Sequence, residues 1–374
     1  MKLFLGTLVL MLSMNAFSAG IPIAGFSDLG FKYQTNDDGT TKTDSNNFYQ
    51  GGVDFYYTKD IGQGVNALAE IVFEMGDDNG AVLDIERLWL QKTLSPWLKV
   101  KFGRVHTALG YWNDTYHHGT WLHNSIMRPL MYRFEDASGI LPMHSMGLEL
   151  RGSGKMGMGT LGYIVNVGNG RGVTVDPPAI ISDANRGKAF NVLAYYELQN
   201  GLRFGGVVYT DDLKSGTITP AAGSTATAVT SVDGKELISG GHLIFKNSKI
   251  EFLSEFLNIR HTYKDAAKTK TNTTAMYAQI GYTVDKMTPY VRYDEVKADK
   301  DNSDSYFFNS TVASGATAFN GSKGMKESQI VAGVRYDMTY TSALKFEYIA
   351  KKLESITAKT AKTNSFNVNW SFAW

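Results

Sequence analysis

The chain has 374 residues, no cysteine, 37 Lys and Arg against 36 Asp and Glu, and a mean hydropathy of -0.20. A net charge of +1 with no charged tail gives no basic face for nucleic acid, so no nucleic-acid partner is expected. Without cysteine there is no disulfide framework, and an exported fold would need another source of stability, such as a large closed sheet.

Export is what the N-terminus indicates. Lys2 supplies a short positive start, Leu3 to Met14 an apolar run of secretory length, and Ala16, Ser18 and Ala19 the small residues of a cleavage site. Cleavage after Ser18 puts Ala16 and Ser18 at the two positions that must be small; cleavage after Ala19 is the alternative and puts Phe17 three residues back. Residues 1–19 are therefore expected to be a signal peptide and 20–374 a single domain. The apolar run is shorter than the ~20 residues of a spanning helix, and nothing after it is long and apolar enough to be one.

Alternation at period two then recurs along the chain. Strands are expected near 22–33, 47–57, 65–75, 83–93, 97–105, 144–152, 157–168, 188–198, 201–211, 237–246, 248–260, 273–284, 287–297, 326–338, 342–353 and 364–374, sixteen in all. In the third, Val65, Ala67, Ala69, Ile71, Phe73 and Met75 alternate with Asn66, Leu68, Glu70, Val72 and Glu74. In the fifteenth, Leu344, Phe346, Tyr348 and Ala350 alternate with Lys345, Glu347, Ile349 and Lys351. The last is the cleanest, with Phe366, Val368, Trp370, Phe372 and Trp374 on one face and Asn367, Asn369, Ser371 and Ala373 on the other. Leu83 to Lys92 and Ile250 to Arg260 do not sort into two faces.

A soluble sandwich also alternates, so the connections decide. Even-numbered strands are followed by short turns, such as Gln199-Asn200 and Tyr340-Thr341. Odd-numbered ones are mostly followed by longer polar segments: 34–46, 106–143, 169–187, 212–236, 261–272, 298–325 and 354–363. Short turns on one side and long loops on the other are the pattern of outer-membrane barrels, and the sheet must close because hydrocarbon tolerates no unpaired edge. The expected fold is all-β: a transmembrane antiparallel up-and-down barrel of about sixteen strands. Its termini and short turns would be periplasmic, its long loops extracellular, and its neighbours the lipid bilayer and lipopolysaccharide. Sixteen strands leave a water-filled channel.

The signal peptide, the sixteen alternating strands and the aromatic C-terminal strand together resemble the Gram-negative porin superfamily over the whole chain. Phe366, Trp370, Phe372 and Trp374 are similar to that family's assembly signal, which most often ends in Phe where this chain has Trp374. Phe102-Gly103-Arg104, followed by the longest connection, resembles the family's fifth strand. The resemblance implies that the third loop, 106–143, folds into the lumen and narrows it, and that the protein is a homotrimer.

That loop is unlike the others, holding Tyr111, Trp112, Tyr116, Trp121, Tyr132 and Phe134. The bland reading is packing against a neighbouring subunit or the rim; the sharper one is an inward loop with aromatics on the wall and charges at the eyelet. Arg128, Arg133, Glu135, Asp136, His117, His118 and His123 are its candidate constriction residues. Lys99, Lys101, Arg104, Arg151, Arg292 and Arg335 are the candidate basic wall, with Arg203 and Lys345 as further basic positions. A metal site from His117, His118 and His123 is disfavoured, because adjacent histidines suit one ion poorly. Hydrolysis using Ser125 or Ser145 with a histidine and Asp136 is disfavoured because no G-x-S-x-G elbow is present. The chain is thus expected to be a non-enzymatic channel without cofactor or metal, passing small hydrophilic solutes and ions. The alternatives are selectivity for phosphate-like anions, for small sugars on an aromatic track, or a non-transport surface barrel. Arg favours carboxylate and phosphate through its bidentate fork, so anion preference is an open reading.

Overall fold

The computed structural model describes residues 23–75, 80–135, 137, 139–172, 175, 187–218, 229–230, 233–265, 269–307, 319–356 and 359–374. The expected signal peptide and Asp136 lie outside the described residues.

Sixteen strands form one closed antiparallel barrel. They are β1 (Ile23–Asp37), β2 (Lys42–Gly62), β3 (Val65–Met75), β4 (Ala81–Ser95), β5 (Leu98–His106), β6 (His144–Met156), β7 (Gly159–Asn169) and β8 (Lys188–Leu198), then β9 (Leu202–Leu213), β10 (Gly234–Lys246), β11 (Ile250–Tyr263), β12 (Lys270–Tyr282), β13 (Met287–Lys297), β14 (Lys326–Thr339), β15 (Ser342–Glu354) and β16 (Ala361–Ala373). Each pairs with its neighbours in sequence, and β1 closes the ring on β16 from Phe26 opposite Ala373 to Asp37 opposite Lys362. Beyond the ladder, Gly25 and Trp374 exchange backbone hydrogen bonds. No helix among the described residues is long and apolar enough to cross a membrane, which is immaterial to a chain that crosses with strands.

The burial pattern is that of a soluble protein turned inside out. In β16 Asn367, Asn369 and Ser371 are buried, while Phe366 and Trp370 are 43% and 48% exposed. Leu90, Phe102, Phe204, Phe256, Ile280, Ile330 and Tyr348 are likewise exposed on other strands. An apolar band outside and polar groups inside match a barrel whose outer solvent is lipid.

Three features depart from the sequence reading. The expected loop 34–46 shrinks to a turn at 38–41. The polar residues of β2 continue the ladder with Gln34 to Asp37, and Gly39, at φ +80, turns the chain while Asp38 caps the amides of Thr40 and Thr41. In β4, Arg87 pairs with Glu70 and Ile85 with Ile71, leaving Glu86 as a bulge. The outward set therefore switches from Leu83 and Ile85 to Leu88 and Leu90, which is why 83–92 does not alternate. In β11 the inward positions include Leu253, Leu257 and Ile259, all buried, because an apolar loop lies on them.

Candidate functional site

The connection 107–143 carries one short helix, α1 (Tyr111–Thr115), and two single 3₁₀ turns. It has almost no regular pairing of its own, so its backbone groups need partners. Side chains of distant strands supply them, sorted by charge. Glu255 of β11 accepts the amides of Tyr111 (2.7 Å) and Trp112 (2.8 Å) and the hydroxyls of Tyr132 and Tyr277. Glu347 of β15 accepts the amides of Ile126 (2.8 Å) and Met127 (3.1 Å) and the Tyr290 hydroxyl. Cations take the carbonyls. Arg292 donates to those of Met127 and Arg128, Arg335 to those of Trp121 and His123, and Lys345 to those of Thr120, His123 and Ser125. Charge-assisted bonds of this kind are the strong ones. Gly110, at φ +154, is required at the first latch: a Cβ there would lie 2.1 Å from Glu255 Oε2 and 2.2 Å from the Tyr132 hydroxyl.

Apolar packing reinforces the latches. Leu109, Trp112, Tyr116, Met131, Tyr132, Leu141 and Met143 form one buried cluster with Leu193 of β8, Val207 of β9, Ile238 of β10, Leu253 and Leu257 of β11 and Tyr277 of β12. Trp112, Tyr116 and Tyr132 are thus packed away, with Tyr111 and Phe134 partly buried against them. Trp112 and Tyr132 are wholly buried.

The loop's other edge borders a cavity of about 290 Å³. Met127, Arg128, Pro129, Leu130, Arg133 and Ala137 line one side, and Lys32 and Gln34 of β1, Gln329 of β14, Ile349 and Lys351 of β15, and Thr363, Ser365 and Asn367 of β16 the other. The wall residues are contiguous, with Lys32 opposite Asn367 and Lys351 opposite both Gln329 and Thr363. Four cations and no carboxylate are among these lining residues. The acid beside them is Glu327, which binds Arg133 at 2.7 Å and Lys351 at 3.5 Å. Lys351 and Thr363 also line a larger cavity, about 1040 Å³, toward the connections 38–41 and 355–360.

Of the expected constriction residues, Arg128 and Arg133 reach this cavity. His117, His123 and Glu135 are buried away from it. Burial, with nearby cations such as Lys345, pushes His123 well below the usual histidine range. Burial pushes the Glu135 carboxyl up, although the Met143 amide donates to it at 2.7 Å. Neither lines the cavity. Ser125, weighed as a nucleophile, lies 3.2 Å from His123 but is wholly buried and takes a hydrogen bond from Arg292. On the wall, Arg292 and Lys345 are wholly buried under the loop they hold, a correction to Arg292 as an open wall residue. Lys101 pairs with Glu149 at 3.0 Å, Arg151 with Asp114 at 3.0 Å and Arg104 with Asp84 at 3.4 Å, so these are compensated charges. Lys99 is half-buried. Arg203 stacks on Tyr195, 3.6 Å from its ring centre. Sequence reasoning did not single out Lys32 and Lys351, which line the cavity. Parity was the available signal: Lys351 shares a face with Lys345, and Lys32 falls between the outward Phe31 and Tyr33.

Comparisons with known proteins agree with this architecture. The family model for the Gram-negative porins matches residues 6–369. No curated protein matches. Among solved structures, the chain is similar to the anion-selective porin from Comamonas acidovorans (12% identity, TM-score 0.62, 95% of this chain and 99% of that one). It is also similar to the outer-membrane channel DcaP of Acinetobacter baumannii (14%, 0.62, 95% and 97%) and to the in-vitro folded trimer form of OmpT of Vibrio cholerae (12%, 0.59, 94% and 99%). At such identities these likenesses speak to the fold. Taken with the closed sixteen-strand barrel and its lipid-suited outer face, the family match over nearly the whole chain makes this protein a member of the Gram-negative porin family, an outer-membrane channel.

Proposed function

We propose that the protein is a diffusion channel for small hydrophilic solutes that prefers anions, with 107–143 folded into the lumen as its constriction. The observation that carries this reading is the cavity between the loop edge and the β14–β16 and β1 wall, bordered by Lys32, Arg128, Arg133 and Lys351 without a carboxylate among its lining residues. Selectivity in channels follows the charge at the narrowest point. The Arg128 and Arg133 guanidiniums suit carboxylates and phosphates in transit, and Glu327 tempers rather than reverses the positive field. The latches from Glu255, Glu347, Arg292, Arg335 and Lys345 support the inward placement, since all lie on strands remote in sequence from the loop. A sugar track finds less support, because no aromatic side chain is among the residues lining this cavity.

The same reading has residues 1–19 removed on export, both termini and the short turns in the periplasm, and the long loops outside against lipopolysaccharide. It includes a homotrimer, in keeping with the trimeric OmpT of Vibrio cholerae. Reversal potentials across planar bilayers in a potassium chloride gradient test it. Anion preference is expected, and it should fall stepwise in Arg128→Ala, Arg133→Ala and Lys351→Gln. A cation-preferring wild type, or a barrel without stepwise conductance, overturns the proposal.

A further inference from the structure

Four buried side chains that the channel does not use meet where the loop passes β4, β5 and β6. They are Glu86 at the β4 bulge, His106 at the end of β5, His117 just past α1 and His144 at the start of β6. One donor atom from each lies within 4.8 Å of all the others. His117 Nε2 is 2.9 Å from His144 Nε2 and 3.4 Å from Glu86 Oε2, and His144 Nε2 also touches that carboxylate oxygen. The His106 ring stacks on His117 with centroids 3.5 Å apart.

Hydrogen bonding alone leaves this cluster unsatisfied. Asn113 donates its amide N–H groups to the carbonyls of Thr107 (2.8 Å) and Met143 (3.0 Å), so its oxygen must face His117 Nδ1, 2.7 Å away. That oxygen accepts the Nδ1 proton and leaves the Nε2 lone pair of a neutral ring aimed at Glu86 and His144. A carbonyl that accepts from the remote ring nitrogen does the same for histidines in metal sites. His106 Nε2 and His144 Nδ1 are buried without a hydrogen-bond partner, and the carboxylate nearest His106 Nε2, Glu70, is 3.9 Å away. Unmet polar atoms in so enclosed a place are costly. His118, next in sequence, takes the other oxygen of Glu86 at 2.7 Å. The adjacent histidines therefore sit on opposite sides of one carboxylate and do not compete for one position.

We propose that Glu86, His106, His117 and His144 form a site for a divalent transition-metal ion of the zinc class. Three imidazoles and one carboxylate are a donor set such ions favour, and tetrahedral bonds of ~2.0–2.2 Å put donor atoms about 3.3 Å apart. Of the six separations two, at 2.9 and 3.4 Å, bracket that figure, Glu86 and His144 stand closer, and all lie within 4.8 Å. An ion there joins β4, β5 and β6 to the loop, fastening its near end as Glu255 and Glu347 fasten the rest. The β4 bulge places Glu86 beside the three rings.

The test uses tag-free, detergent-folded barrel stripped with a chelator and dialysed against zinc chloride at neutral pH. Elemental analysis should find one zinc per chain, and cobalt(II) in its place should give the intense visible bands of a tetrahedral site. His117→Gln and His144→Gln should lose the zinc while keeping the heat-modifiable folded band on gels, and His118→Gln should keep it. Absence of retained zinc, its persistence in both variants, or its loss only in His118→Gln overturns the proposal. Should either variant not fold, X-ray absorption at the zinc edge of the wild type decides. Three imidazole ligands support the site, and one or none refutes it.

Discussion

The two halves of the wall present opposite inner faces, and the contrast explains both what the loop does and what the sequence could reveal. From β8 to β12 the inner face includes Leu193, Val207, Ile238, Leu253, Leu257 and Tyr277 beside the Glu255 latch, packed with the loop's apolar side. From β14 through β16 to β1, apart from the latches of Arg335, Lys345 and Glu347, it includes Gln329, Lys351, Thr363, Asn367 and Lys32, facing the cavity. Apolar residues inside a barrel that is apolar outside make sense only where another part of the chain excludes water. The covered half is therefore packed as a protein core, and on the proposed reading the open half is the channel surface. Perturbing the first should cost stability and geometry, and perturbing the second should change only selectivity.

The largest effect is expected from Trp112→Ala. It empties the centre of the sealed cluster, where large-to-small aromatic changes cost ~3–5 kcal/mol. The folded barrel should melt earlier and show noisy, larger conductance steps as the loop loosens. Gly110→Val strikes the same half differently, because any side chain collides with Glu255 and the Tyr132 hydroxyl at a backbone angle β-branched residues avoid. Unchanged melting and conductance in both would mean the loop does not depend on this packing.

Next comes Glu255→Gln, which weakens one latch without opening a cavity. Four donors converge on this carboxylate, and each left poorly satisfied costs ~1–3 kcal/mol. A smaller drop in melting temperature is expected, with conductance raised and anion preference reduced, read by the same bilayer and thermal measurements.

The same contrast marks what could be read from the residues. β16 was legible because its inner face meets water, so Asn367, Asn369 and Ser371 stand out against Phe366 and Trp370. β11 was opaque because Leu253 and Leu257 face inward, and its partners in the loop are more than a hundred residues away. β4 was opaque for another reason: one bulged residue, Glu86, reverses the parity midway. The loop was marked by its aromatics and charges, and of these Arg128 and Arg133 line the cavity. His117, His123 and Glu135 are buried instead, and nothing local says that a polar side chain will be buried beneath its own loop. Lys32 and Lys351 were readable from parity, but isolated lysines on a strand look like any solvated charge.

On the open half, Lys351→Gln and Lys32→Gln should move the reversal potential toward cations with melting unchanged within error. Their side chains border the cavity, and the buried Glu327 that Lys351 meets at 3.5 Å keeps its closer partner Arg133 at 2.7 Å. A clear loss of stability in either would show that the open half is as structural as the covered one.

The smallest effect concerns pH and sits at the loop end of the covered half. Asp304, in the connection 298–325, is buried against His261 of β11 (2.8 Å) and accepts the Tyr263 hydroxyl (2.8 Å) and the Phe307 amide (3.1 Å). Burial alone would raise its carboxyl, but the His261 charge and these hydrogen bonds outweigh that and hold it below the usual carboxylate range. A carboxyl held lower when folded than when unfolded stabilises the fold above its unfolded value, and the benefit disappears as pH falls through the folded value. Melting should therefore be flat near neutral pH and decline in acid, and Asp304→Asn should lower it at neutral pH while flattening the acid decline. The open half has no counterpart to this buried ion pair among its cavity-lining residues, so anion preference should survive the substitution. If selectivity moved with Asp304, the two halves would be coupled, and the division between core and channel surface would have to be redrawn.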